Sequence, residues 1–146
     1  MKERVQITVT GVHTRDGGHT EETKSEVRGR YRREKGAHVV EYEETMDVTD
    51  IVTFNRVRMT ETGMEIVRRG SVDSELKFAA GRDDESMYKT PLGSMKMRIR
   101  TTRYNLYTME KGNRLIAEAE YKVIMNGMEM SDTLIRLDIR PDEMTT

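Results

Sequence analysis

Apolar and polar residues alternate along most of this chain, in short runs that each close on a turn signal. Val5, Ile7 and Val9 alternate with Gln6, Thr8 and Thr10, the period of a half-buried β-strand. The same period returns at Val27, Gly29 and Tyr31, at Val40, Tyr42 and Glu44, across Ile51 to Met59, at Met64 and Ile66, and at Leu76, Phe78 and Ala80. It is clearest in the last third. Met95, Met97, Ile99 and Thr101 alternate with Lys96, Arg98 and Arg100, and Leu115, Ala117, Ala119, Tyr121 and Val123 with Ile116, Glu118, Glu120 and Lys122. Turn signals fall between the runs: Asp16-Gly17-Gly18, Lys35-Gly36, Glu61-Thr62-Gly63, Gly81 to Asp84, Thr90-Pro91-Leu92-Gly93, Lys111-Gly112-Asn113 and Asn126-Gly127.

Three local features refine the pattern. Asn126-Gly127 predicts a two-residue type I′ hairpin. Gly29, in mid-strand, predicts a bend or a close approach by another element. In the last strand Met128 and Met130 share one phase while Ile135, Leu137 and Ile139 share the other, which predicts a β-bulge near Ser131-Asp132. The stretch Gly81–Met87 is the one place with any character of a helical turn. These runs predict an all-β domain over residues 1–146, an antiparallel meander of eight to ten strands. Closing or nearly closing it into a barrel removes the exposed sheet edges of so long a meander, so a barrel is preferred to a sandwich.

Composition narrows the class. The core must be built from aliphatic residues and methionine, because the chain has twelve Met, two Phe and no Trp. Charged residues make up 35% but nearly cancel, with a net charge of −1. That balance argues against a large field for nucleic acid or an anionic membrane. With no cysteine, disulfides, thiolate metal sites and cysteine nucleophiles are excluded. Met1–Gly11 lacks the apolar run of a signal peptide, and no stretch approaches the ~20 apolar residues of a membrane-spanning helix. The expectation is a cytoplasmic protein with no membrane contact.

A motif pattern runs through the middle of the chain: Tyr42-x-Glu44, Ile66-x-Arg68-x-Gly70, Leu76-x-Phe78, Gly81, Tyr88-x-Thr90-Pro91-x-Gly93 and a strand ending at Thr101. In order and spacing it resembles the bacterial DUF1934, or YwiB-like, family, over nearly the whole chain. The resemblance implies a calycin-like barrel, akin to lipocalins or fatty-acid-binding proteins, and implies no activity. The chain departs from true lipocalins: without Trp it lacks their Gly-x-Trp signature, and it has no cysteine pair. Lipid transport would therefore rest on fold analogy alone.

Arg68 is the sharpest exception to the pattern, since its phase puts it on the inward face with Met64 and Ile66. An inward arginine needs a carboxylate or an anionic ligand, because an unpaired buried charge is very costly. Glu44, in phase with Val40 and Tyr42, is the partner the sequence offers. Two readings follow: a structural Arg68–Glu44 pair with Tyr42 or Tyr88 bonded to it, or an arginine fork for the carboxylate or phosphate of a small ligand. Tyr88 and Thr90 have a parallel choice, turn chemistry around Pro91 and Gly93 or polar contacts at the barrel mouth. Met64, Met95, Met97, Met128 and Met130 fall in the inward phase, as core filler or as lining of an adaptable pocket.

The remaining signals are bland. His13, His19 and His38 have no metal-ligand spacing. No nucleophile elbow, P-loop or dinucleotide fingerprint is present, so neither an enzyme nor a cofactor is expected. Arg28, Arg30, Arg32 and Arg33 form a basic outer face, but Tyr31 among them is in the inward phase and unavailable to stack on bases. Glu118 and Glu120 are the carboxylates expected to neutralise such outer cations. The leading expectation is a noncatalytic barrel binding a small, partly apolar, anionic ligand. The alternatives are a filled barrel serving protein interaction or oligomerisation, a homodimer included, with Val12, Ile116 and Ile124 on an exposed apolar face, and nucleic-acid binding on the Arg28–Arg33 face.

Overall fold

A computed structural model describes residues 1–14, 18–46, 49–70 and 73–142. They form ten antiparallel strands: β1 (Arg4–Thr14), β2 (Thr20–Glu34), β3 (Ala37–Met46), β4 (Thr49–Met59), β5 (Met64–Arg69), β6 (Ser74–Phe78), β7 (Asp83–Thr90), β8 (Gly93–Met109), β9 (Arg114–Met125) and β10 (Met128–Pro141). The strands make one sheet in the order β6-β5-β4-β3-β2-β1-β10-β9-β8-β7. Every sequence neighbour pairs except β6 with β7, and the first strand pairs with the last, from Val5↔Pro141 to Thr14↔Asp132. That long-range ladder curls the meander into a nearly closed barrel. The seam between β6 and β7 is tied across at one end, and at the other the connecting turn is fixed to β8. Asp73 and Lys89 exchange backbone hydrogen bonds of 3.0 Å at one end, and at the other Gly81 N–H donates to the Thr101 carbonyl (2.9 Å) and Thr101 N–H to that of Arg82 (3.0 Å).

Turn chemistry fixes the registers. Asn126 (φ 49°) and Gly127 (φ 81°) form the type I′ hairpin, and Lys35 (φ 50°) and Gly36 (φ 79°) form another, whose twist matches that of the flanking strands. The bulge in β10 falls between Glu129 and Ser131, which face Ile124 and Val123 of β9, so Met130 is the extra residue. Residues 81–87 form no helical turn. Asp83–Thr90 is instead strand β7, paired with β8 from Asp83↔Arg100 to Thr90↔Gly93, because the alternation of Asp84, Ser86 and Tyr88 with exposed neighbours is a strand period. The Asp16-Gly17-Gly18 turn lies outside the described residues apart from Gly18.

The inward phase fills one end of the barrel. Val5, Ile7, Val57, Met59, Ile66, Phe78, Leu115, Leu137 and Ile139 are almost wholly buried in one continuous cluster. Methionine does not act uniformly. Met64 and Met97 are buried and Met95 is half-buried, whereas Met128 is 69% exposed at a hairpin tip beyond the bulge; the Met130 side chain lies outside the described set. Ile116 and Ile124 are not exposed either, at 3% and 9%. Asp138, the cross-strand neighbour of Ile116, is gripped by Arg114 (2.7 Å) and Arg140 (3.2 Å), and such long side chains shelter the apolar residue between them.

Gly29 marks where β2 leaves β3. Their ladder runs from Glu34↔Ala37 to Gly29↔Tyr42 and then stops, with β2 continuing on β1 and β3 on β4. A Cβ built on Gly29 would lie 2.5 Å from the Glu41 carbonyl oxygen, 3.0 Å from Ile7 Cδ1 and 3.1 Å from Tyr42 Cβ. Backbone cannot yield as a flexible side chain can, so Gly29→Ala is expected to cost about 2 kcal/mol of stability. Urea denaturation checks this, and an unchanged midpoint would show that the strands part without needing the glycine.

Candidate functional site

The other end of the barrel is built differently. Val9 and Val27 face inward, as do Tyr88, Tyr121, Val123 and Met125, and all pack against the core, yet each is only half-buried. Inward side chains that retain exposure show that this end of the barrel, near the parting of β2 from β3, is reached by solvent. Phe78 and Tyr121 lie against each other within the barrel, with ring centroids 4.8 Å apart.

A polar row crosses this end. Gly29, Tyr42, Asn55, Arg68 and Ser74 are successive cross-strand neighbours on β2 to β6. Tyr42, Asn55 and Ser74 are buried, at 4%, 0% and 3%, and Arg68 is half-buried. Opposite them Thr101, Tyr121, Thr133 and His13 form a second row on β8, β9, β10 and β1, where the His13 ring bonds Thr133 Oγ1 at 3.2 Å. Arg68, in the first row, is near enough for its charge to act on Tyr121 of the second as well as on Tyr42.

The hydrogen bonding is incomplete at one cluster. Glu44 accepts a hydrogen bond from Asn55 Nδ2 at 3.1 Å, not from Arg68. Among the described residues the Arg68 guanidinium makes no ion pair and no side-chain hydrogen bond, and its Nε is buried without a partner. Asn55 Oδ1, Ser74 Oγ and Thr101 Oγ1 are buried without partners too. The Arg68–Glu44 pair expected from the sequence is therefore absent: asparagine takes the carboxylate and leaves the arginine free. Four orphaned polar atoms in one barrel end are notable, since buried polar groups are nearly always bonded.

The tyrosines report the same environment. Burial pushes the Tyr42 hydroxyl up to about 12, with Glu44 adding to the rise and Arg68 opposing it. Burial likewise pushes Tyr121 up to about 12, again opposed by Arg68. Both phenols are held neutral, as hydrogen-bond donors.

Tyr88 and Thr90 are placed differently. Tyr88 is half-buried against the core at the open end. The Thr90 hydroxyl is used within the turn, donating to the Gly93 carbonyl (3.1 Å) and accepting from Leu92 N–H (3.2 Å). Asn55, Ser74, Thr101 and Tyr121 were not singled out from the sequence. The signal was available, because Asn55 shares the phase of Val57 and Met59, and Thr101 that of Met97 and Ile99. Ser74 also lines a cleft of about 410 Å³ on the β6–β7 seam, beside Asp73, Glu85 and Lys89.

The outer basic face is neutralised locally. Arg28 lies 3.6 Å from Asp142, Arg30 lies 3.9 Å from Glu3, and Arg32 pairs with Glu34 and Glu41. Lys96 and Arg98 share Glu85, and Arg100 pairs with Asp83. Glu118 and Glu120 serve other cations, Arg136 and Arg103. Among the described residues no cluster of side chains suits a metal ion, and no helix is long and apolar enough to cross a membrane.

Comparison with known proteins agrees with this architecture. The model of the DUF1934 family, a domain of unknown function, matches residues 7–137. The chain therefore belongs to that family. The crystal structure of the ywiB protein from Bacillus subtilis superposes with a TM-score of 0.81 over 96% of this chain and 92% of that one, at 16% identity. That likeness establishes the fold. A search of curated proteins finds no match.

The shifted tyrosines set an alkaline limit. An unfolded tyrosine ionises near 10, whereas Tyr42 and Tyr121 ionise at about 12 when folded. A raised value contributes stability that is whole below pH ~10 and is lost as pH climbs towards 12. Stability is expected to fall by roughly 2 kcal/mol per tyrosine across that window. Burial raises Tyr104 in the same direction, so Tyr42→Phe should remove only Tyr42's own share of the fall, roughly 2 kcal/mol. Equal alkaline slopes for wild type and variant would contradict the assignment.

Proposed function

We propose that this member of the DUF1934 family is a noncatalytic cytoplasmic binding protein for a small anionic molecule with an apolar portion, held in the open end of its barrel. The observation that carries the reading is Arg68: an inward guanidinium with a buried Nε and no protein anion to meet it. A carboxylate or phosphate supplies the missing acceptor, and an arginine fork suits either group. Ser74 and Thr101 offer hydroxyls, and Asn55 Oδ1 is an acceptor for a ligand hydroxyl or bridging water. Tyr42 and Tyr121, kept neutral, donate without repelling an anion. The walls beside this polar group are apolar and adaptable, with Val9, Val27, Val123 and Met125 accessible from the mouth. A few convergent polar groups in an apolar concavity is the usual make-up of a small-molecule site. Glu44, tied to Asn55, sets that amide's direction and has its own charge engaged by it.

Melting curves with decanoate, hexyl phosphate and decanol test this reading. At a hundredfold excess over Kd, linkage gives about 2.7 kcal/mol, roughly 5–10 °C in a domain of this size. At least one of the two anions is expected to raise the midpoint, and uncharged decanol is not. Arg68→Met should abolish the rise while leaving the apo protein as stable or more so, because it removes a half-buried charge that no protein anion pairs. An anion response that survives Arg68→Met, or no response to either anion, would overturn the proposal.

A further inference from the structure

The parting of β2 from β3 leaves more than an opening. From Thr20 to Arg28, β2 is paired only with β1, and residues 20–26 are exposed on both faces. A strand this long, wetted on both faces and held along one side, presents a row of backbone donors and acceptors to solvent. Which residues present them follows from the register. Tyr31 N–H donates to the Glu3 carbonyl on the β1 side (2.7 Å). Backbone groups alternate sides along a strand, so the odd-numbered residues of β2 bond β1, and Glu22, Lys24 and Glu26 point to the free edge, which ends at Arg28 where the ladder to β3 begins.

We infer that this edge pairs with the same edge of a second copy, joining two barrels through an antiparallel β2–β2 ladder. The charges select one register. Centring the two-fold axis on Lys24 sets Lys24 against itself and Glu22 against Glu26. Centring it on Glu26 sets Glu26 against itself and Lys24 against Arg28. Centring it on Thr23 shortens the ladder. Centring it on Ser25 sets Lys24 against Glu26 at bonded positions and Glu22 against Arg28 at the ends of the ladder, twice each. Opposite charges directly across a ladder are favourable and like charges are not. On the other face Thr23 meets Val27, and Ser25 meets its own copy at the axis. Arg28 keeps Asp142 at 3.6 Å with its side chain 67% exposed, so it can face Glu22 of a second copy as well. Edge strands are often charged to forbid pairing, but here the sequence of charges is self-complementary.

The lack of any cysteine makes the test clean. Across an unbonded antiparallel pair the Cα atoms lie about 4.5 Å apart, within disulfide range. Ser25→Cys is therefore expected to form a covalent dimer under mild oxidation, and Thr23→Cys, displaced along the strand from its own copy, is not. By sedimentation equilibrium, Lys24→Glu or Glu26→Lys alone should weaken the dimer about tenfold, and the double swap should restore it. All four residues are exposed, so the thermal midpoint of each variant should stay near wild type. A wild type that stays monomeric at high concentration, cross-linking no faster at position 25 than at 23, or a double swap that fails to rescue would each overturn the inference.

Discussion

The pairing of the first strand with the last is the interaction on which the rest of this structure depends. All other ladders join strands adjacent in sequence and form through tight turns at small entropic cost. The β1–β10 ladder closes nearly the whole chain, and chain entropy opposes that closure. Its ten pairs, from Val5↔Pro141 to Thr14↔Asp132, are supported by the inward Ile7, Leu137 and Ile139, which are wholly buried. Without it the meander is an open sheet with one face of aliphatic side chains in water. With it that face becomes an interior, and among the described residues the breaks left are the β6–β7 seam and the parting at Gly29.

Closure also divides the interior into two kinds of space. Where β2 and β3 stay together, the barrel is narrow and its side chains meet in a continuous core. Where they part, inward residues remain wet and polar groups gather. Arg68 sits near that transition. An inward charge without a partner is tolerated only when solvent or a ligand completes its shell, and Glu44, in the same phase, is engaged by Asn55 instead. The same wall therefore builds the site and keeps it unfilled by protein.

Much of the fold was legible because period and turn chemistry are local. The alternation in Leu115–Val123, the Asn126-Gly127 hairpin, the close approach at Gly29 and the bulge before Ser131 all follow from side-chain phase and backbone sterics. What was not legible depended on which strands lie side by side. Val12, Ile116 and Ile124 stand in the outward phase, yet Ile116 and Ile124 are buried by long neighbours that only the β8–β9–β10 pairing supplies. Lys96, Arg98 and Arg100 find Glu85 and Asp83 of β7, a strand that its charged sequence obscured. The site was half visible. Arg68 announced itself by breaking an apolar phase; Asn55 and Thr101 are polar in an apolar phase as well, but an uncharged residue there stands out less. Whether Glu44 would meet Arg68 or Asn55 depended on side-chain geometry across three strands, which no spacing encodes.

The central claim is that the Arg68 guanidinium awaits an external anion. Nitrogen-15 NMR of the arginine Nε–H groups, with the Arg68 signal assigned by its loss in Arg68→Lys, tests this directly. As decanoate or hexyl phosphate is titrated in, the account predicts a saturable shift of the Arg68 Nε–H signal while those of Arg30, Arg100 and Arg103 stay fixed. An Arg68 signal that does not move with either anion, or moves only in step with the surface arginines, would contradict it.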